Sequence, residues 1–355
     1  MIRLAHIIEQ FGVDFIQQYK NKLLPGQLSA LNAIRSCRTI HSPKMQVQCD
    51  GCSRNDFVPH SCGNRHCPHC QNHESQQWIE RQLQKQVPAD YFMLTFTLPA
   101  ELRYLAWSHQ HLVYGLLFDC AWKTLKTFTL NDKKLGGNAG AIAVLHTHSR
   151  VLKFHPHIHV IMPGASIDPG KRLWFRKEGK YLFDHKALAI VFRAKFLGAL
   201  TDNELSLPTR YPKEWVVDCR HVGKGDKALV YLGRYLYRGV IQEKDIMSCK
   251  NGLVTFRYIE SKSKKTKIRI VPVLKFLWLV LQHVLPRGFR RARDYGFLHP
   301  NSKKLITVLQ WAFRLNPNHM IAKIKERKQM LCSCCGGNMV IVRTRIQSSA
   351  SLVPT

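Results

Sequence analysis

Apolar residues recur at helical spacing in LAHIIEQFGVDFIQQY and, past a break at Leu24-Pro25-Gly26, in LSALNAIRSC. That spacing predicts two helices within residues 1 to about 46. A polar, Gln-rich helix follows in HESQQWIERQLQKQ and ends before Pro88. DYFMLTFTLP then alternates and is rich in Phe and Thr, a strand pattern. Residues 103 to 130, rich in Leu and aromatics, read as a buried helix. AIAVLHTH and HPHIHVIM, the latter closed by Pro163-Gly164, read as a two-stranded hairpin with histidines on both arms. A helix near 185–200, a strand at EWVVDCR and a helix from about Lys227 come next. LVTFRYI and KIRIVPV form a further strand pair. From 273 to 285, Leu274, Leu277, Trp278, Leu281, Val284 and Leu285 make a core-facing helical stripe. The tail from Asn301 reads as helical, then Cys-rich, with disorder expected past Arg345.

Charge changes the picture more than hydrophobicity does. Hydrophobic content of 45% is ordinary, but 54 Lys+Arg against 23 Asp+Glu leave a formal charge of +31 over 355 residues. Such an excess repels itself in the folded state and is ordinarily balanced by a polyanion, so nucleic acid is the expected partner. The longest apolar stretch, Val273 to Leu285, is interrupted by Lys275, Gln282 and His283 and is too short to span a bilayer. The N-terminus carries no pattern of a secretory signal, so no membrane partner and a cytoplasmic, nucleoid-associated location are expected.

Twelve cysteines in such a chain point to metal thiolates rather than disulfides. Cys49-x2-Cys52 and Cys67-x2-Cys70 have the spacing of a structural four-thiolate Zn2+ site. Cys62, His60, His66 and His69 lie between or beside the pairs and are possible substitutes, although Cys62 is expected to pack as a small apolar residue. Cys332, Cys334 and Cys335 make only half of a second site. Cys37, Cys120, Cys219 and Cys249 need no role beyond packing.

His157 and His159, two apart on a strand, face the same side and can share a cation. A hairpin brings His146 opposite them as third ligand, with His148 in reserve. Tyr231 and Tyr235, four apart on a helix, also share a face. A metal polarising a phosphate beside a phenol that attacks it is a device for breaking and rejoining a nucleic-acid strand through a phosphotyrosine. Arg234 and Arg238 on the same helix would steady the phosphate. Arg290, Arg291 and Arg293 in PRGFRRARDYG would track a DNA backbone. Alone, a histidine pair or a tyrosine pair is more often packing than chemistry; together, in a basic chain, they are not.

In order and wording, SCGNRHCPHCQ, LTFTLPAELR, VLHTHSRVLKFHPHIHVIMPG, VYLGRYLYRG and HVLPRGFRRARDYGFL resemble the two-tyrosine HUH transposases of rolling-circle insertion sequences, the insertion-sequence-ninety-one family. The resemblance spans roughly residues 5 to 300. It implies an α+β fold, a central antiparallel sheet flanked by helices (HUH endonuclease-like), with a small N-terminal zinc-binding module. It implies Mg2+ or Mn2+ on His157 and His159, with the third position, His146, not fixed by it. It also implies Tyr231 and Tyr235 as nucleophiles, single-stranded DNA at transposon ends and target DNA as partners, and a 5′-phosphotyrosine intermediate. The expected plan is a helical and zinc-binding domain over 1–87, a nuclease domain over 88–300 and a basic, Cys-containing tail over 301–355. Two other readings share parts of the pattern: a plasmid or phage replication initiator or relaxase of the same chemistry, and a non-catalytic zinc protein that binds nucleic acid. The four-cysteine module and the lack of a helicase motif favour the transposase over the initiator, and the second reading leaves the joint histidine and tyrosine motifs without a purpose.

Overall fold

The long run Asn138–His148 is buried at nearly every position, as expected of a strand covered on both faces rather than one. A computed structural model describes residues 2–168, 170–171, 173–237, 239–260, 263–316 and 329–346. Within them the chain forms, in order, α1 (Leu4–Tyr19), α2 (Pro25–Arg35), β1 (Lys44–Cys49), β2 (Asn55–Pro59), α3 (Asn72–Leu83) and β3 (Tyr91–Thr97). Next come α4 (Arg103–Ser108), α5 (Gln110–Asn131), β4 (Asn138–His148), β5 (Phe154–Pro163), β6 (Ala165–Asp168) and β7 (Leu173–Arg176). The chain continues through α6 (His185–Asp202), β8 (Val217–His221), α7 (Asp226–Tyr237), β9 (Ile246–Lys250), β10 (Leu253–Ile259) and β11 (Thr266–Pro272). It ends with α8 (Val273–Leu281), β12 (Ala292–Gly296), α9 (Lys303–Ala312) and β13 (Met339–Ile346).

The central sheet runs β7-β6-β4-β5-β3-β8, with β12 also paired to β4, and its pairings are antiparallel. Alternation sorts its side chains onto two faces. Leu94, Phe96, Ile158, Val160, Ala143 and Leu145 pack against Leu117, Phe118 and Ala121 of α5 and Phe192 and Phe196 of α6. Ile142, Val144 and Ile161 face the other way, onto Trp78 and Ile79 of α3 and Leu229, Leu232 and Leu236 of α7. Each fully buried large side chain contributes about 1.5–3 kcal/mol. The protein is therefore α+β, with an antiparallel sheet between helices, as expected.

A second core joins segments far apart in sequence. Leu4, Ile7, Phe15, Leu31 and Ile34 of α1 and α2 pack with Phe276 and Leu277 of α8 and Val254 and Phe256 of the three-stranded sheet β11-β10-β9. Buried polar groups seal the joint: Glu243 accepts from the Leu4 amide at 2.9 Å, and the Gln27 side chain donates to the Leu281 carbonyl at 3.2 Å. The 103–130 helix is broken at His109 into α4 and α5. The tail holds an unanticipated strand, β13, which pairs with β1; the disorder expected past Arg345 falls on 347–355, outside the described residues. Among the described residues no helix is long and apolar enough to cross a membrane.

Candidate active site and cysteine clusters

The β4–β5 register decides which histidines meet. His146 lies directly across from His157, and Val144 across from His159. Because side chains alternate, His146, His157 and His159 all project from the α7 side of the sheet. Their ring centroids lie 5.1 Å (His146–His157), 4.3 Å (His146–His159) and 5.0 Å (His157–His159) apart, and one nitrogen of each falls within 4.8 Å of the other two.

The remaining nitrogens have partners that suit ligation. Nδ1 of His157 is 2.7 Å from the His155 carbonyl, to which its N–H donates, leaving Nε2 with a lone pair. Nδ1 of His159 is 3.0 Å from Oγ1 of Thr95, which sits opposite it on β3. Nε2 of His146 is buried without a partner, a costly state that a cation would relieve. Burial holds all three imidazoles neutral: it lowers His157 to about 3, reinforced by His159, lowers His159 to about 4, and drives His146 well below the usual imidazole range. Neutral imidazoles are the ligating form, so the donor set fits a divalent metal.

Helix α7 lays its tyrosines against this triad. Ala228, Leu229, Leu232 and Leu236 form its buried stripe, and Asp226 in the first turn favours the helix dipole. The Tyr235 ring stacks on His146, with centroids 3.4 Å apart and planes 14° from parallel. Its hydroxyl lies 2.8 Å from Nε2 of His148. His148 thus pairs with the phenol, and His146 is the histidine that joins the triad. Burial pushes the Tyr235 phenol up and His148 well below the usual range, so the resting pair is neutral. Tyr231, one turn earlier, is 49% exposed, with its ring 6.3 Å from that of Tyr235.

Triad and tyrosines open into a cleft of about 1250 Å³ walled by the linker after α7 and by β10. Arg234, exposed on α7, lines it together with Arg150, Lys227 and Lys244. Arg238 lies outside the described residues. Of the other three arginines expected to track DNA, Arg290 is exposed and lines a second groove of about 1200 Å³. Arg293 lines that groove too, paired with Asp119 at 3.1 Å over the Phe118 ring. Arg291 corrects the expectation: its guanidinium turns inward, donating to the carbonyls of Leu145 at 3.1 Å and Leu236 at 2.9 Å. It ties the last turn of α7 to β4 beside His146, and so serves position rather than backbone contact.

The cysteines need a larger correction. Cys49, Cys52, Cys67 and Cys70 do not converge. Cys67 and Cys70 group with Cys37 and Cys62, while Cys49 and Cys52 group with Cys332 and Cys335, all sulfurs of each set lying within 4.8 Å of one another. The cause is the strand pair between the two motifs: β1 ends at Cys49 and the chain returns along β2, carrying the Cys67 motif away towards the end of α2, where Cys37 waits. Cys37, expected only to pack, and Cys62, expected to pack though a possible substitute ligand, are therefore candidate ligands, and Cys332 and Cys335, half of a site by themselves, meet Cys49 and Cys52. Sγ of Cys62 is 3.5 Å from Cys70, and Sγ of Cys67 is 3.6 Å from Cys37. The same loop donates from Arg65 to the carbonyls of Pro286 at 2.8 Å and Phe289 at 2.6 Å, bracing the segment that carries Arg291.

Sequence reasoning also missed Thr95 and the partnership of His148 with Tyr235; both depend on register and helix docking, although their alternation with the triad residues was visible. A family model described as "Transposase zinc-binding domain" matches residues 7–98, and one described as "Putative transposase" matches 140–305. The chain is 32% identical over 318 residues to the "Putative transposase y4qJ" of Sinorhizobium fredii, covering 83% of this chain and 80% of that protein. It is 25% identical over 312 residues to the "Transposase for insertion sequence element IS801" of Pseudomonas savastanoi pv. phaseolicola, covering 83% and 73%. No solved structure matches.

Proposed function

Since the chain belongs to the IS91-type transposases, we propose that it nicks and rejoins single-stranded DNA at the ends of its element through a 5′-phosphotyrosine, in rolling-circle-like transposition. The observation that carries this reading is the docking of Tyr235 on His146, with the hydroxyl held by His148, at the edge of a three-histidine cluster in a basic cleft.

His146, His157 and His159 would hold the catalytic divalent ion, which when bound polarises the scissile phosphate. Three nitrogen donors suit Mn2+ better than Mg2+, whose preference is for oxygen. A tyrosine oxygen attacks phosphorus, the bond to the 3′-oxygen breaks, and that oxygen takes a proton from solvent to leave as a hydroxyl. His148 Nε2 is positioned to receive the Tyr235 proton as the bond forms. Because both groups rest neutral, the phenol stays inert until a phosphate enters. Tyr231, exposed one turn away, would carry out the second strand transfer. Arg234 and Lys227 lie where the backbone would run. Zn2+ on Cys37, Cys62, Cys67 and Cys70 would brace the loop behind α7.

The test uses labelled single-stranded DNA from the element's ends, incubated with Mn2+, Mg2+ or chelator and run on a denaturing gel. A metal-dependent covalent band, stronger with Mn2+ and lost in Tyr231→Phe/Tyr235→Phe while DNA binding persists, is expected. An undiminished band in that double variant refutes the tyrosine assignment.

A further inference from the structure

The last described segment, 329–346, has almost no hydrophobic reason to stay where it is. Cys332 is its one buried residue, and β13 buries none of its eight side chains. Yet β13 pairs along the whole of β1, with Cys49 opposite Met339 and Gln48 opposite Val340, and the Asp50 amide donates to the Asn338 carbonyl at 3.1 Å. Backbone pairing at a solvated sheet edge contributes little net stability.

What lies at the end of that pairing is a symmetrical set of thiols. Sγ of Cys49 is 3.4 Å from Cys335, and Sγ of Cys52 is 3.7 Å from Cys332. Zn–S bonds of about 2.3 Å in a tetrahedron place sulfurs about 3.8 Å apart; a disulfide holds them at about 2.05 Å. Both halves are turns whose amides point at sulfur: Gly51 and Cys52 donate to Cys49 at 3.4 and 3.5 Å, and Cys334 donates to Cys332 at 3.4 Å. Such N–H groups neutralise part of the charge that four thiolates leave around a dication. Gly336 has φ +72, and a Cβ on Gly337 would come within 3.2 Å of the Cys49 sulfur, so the tail turn is shaped around the thiols.

We propose that Cys49, Cys52, Cys332 and Cys335 form a second tetrathiolate zinc site, which clamps the C-terminal strand onto the N-terminal module. The zinc-binding family match ends at residue 98 and covers only half of these ligands. The clamp is separate from the Cys37 cluster and independent of the nicking chemistry.

The test is zinc content of the intact protein by plasma mass spectrometry, with hydrogen exchange as a second readout. Wild type should carry two zinc ions per chain. Cys332→Ser/Cys335→Ser should carry one, with amide exchange in 339–346 accelerated at least about tenfold while α1 and α2 keep their protection. Cys334→Ser, a neighbour outside the cluster, should keep two. Should the double variant not fold, cobalt-substituted wild type decides, because two tetrathiolate sites give twice the visible absorption of one. One zinc in wild type, two in the double variant, or a Cys49–Cys335 disulfide in the purified protein would overturn the proposal. Since metal content is read directly, failure to nick DNA leaves the result intact.

Discussion

At the residue scale, the site is built from imidazoles kept neutral by burial. His157 is lowered to about 3 and His159 to about 4, against about 6.5 in an unfolded chain. Below pH 6.5 the unfolded chain therefore binds more protons than the folded one. The stability these groups contribute is fully present above pH 6.5 and is lost as pH falls towards 4. For metal-free protein, the free energy of unfolding should drop between pH 7.5 and 5 by about 1–2 kcal/mol for each such histidine. His159→Gln should remove its share of that slope, and a slope identical to wild type in the variant would contradict the burial argument. The pairing of His157 and His159 was legible because two residues apart on a strand is one face. His146 was the favoured third histidine with His148 held in reserve, and the choice stayed open because it turns on the strand register, which shifts between His146 and His148. The inward turn of Arg291 was invisible: in sequence it stands among arginines of opposite fate.

At the scale of elements, the hairpin, the tyrosine helix and α8 were readable from alternation and from stripes three and four apart, since the side chains that announce them also bury them. The strands β2, β12 and β13 were not, because they are polar or half-exposed and take their form from pairing with other strands, as β12 with β4 and β13 with β1. Packing of α7 turns on Gly233. A Cβ there would meet Ile79 Cγ1 at 2.2 Å and Trp78 at 2.9 Å, and Ser75 donates to the Gly233 carbonyl at 3.0 Å. Gly233→Ala should gain helix propensity locally yet destabilise the protein by about 1–3 kcal/mol through overpacking, and displace Tyr235 from His146. Thermal melting together with adduct yield checks this; a variant as stable and active as wild type would mean that α3 and α7 are not in close contact.

At the scale of the whole molecule, +31 of formal charge, a basic cleft over the triad and a second groove lined by Arg290 and Arg293 describe a protein built around DNA. Family and partner class were legible from charge and motif order. The long-range architecture was not. The N-terminal helices share a core with α8 and β9–β11, and the cysteine pairs are divided between two clusters, because hydrophobic stripes and CxxC spacings carry no address for their partners. The central claim is a covalent bond between tyrosine and DNA. Its most direct measurement is mass spectrometry of tryptic peptides after reaction with element-end DNA and nuclease trimming. The account predicts a 5′-linked nucleotide on the peptide 228–234, at Tyr231, or on the peptide 235–238, at Tyr235, with fragmentation locating the modified tyrosine. DNA cleavage with no nucleotide on either peptide, or a nucleotide joined through its 3′ end, would contradict it.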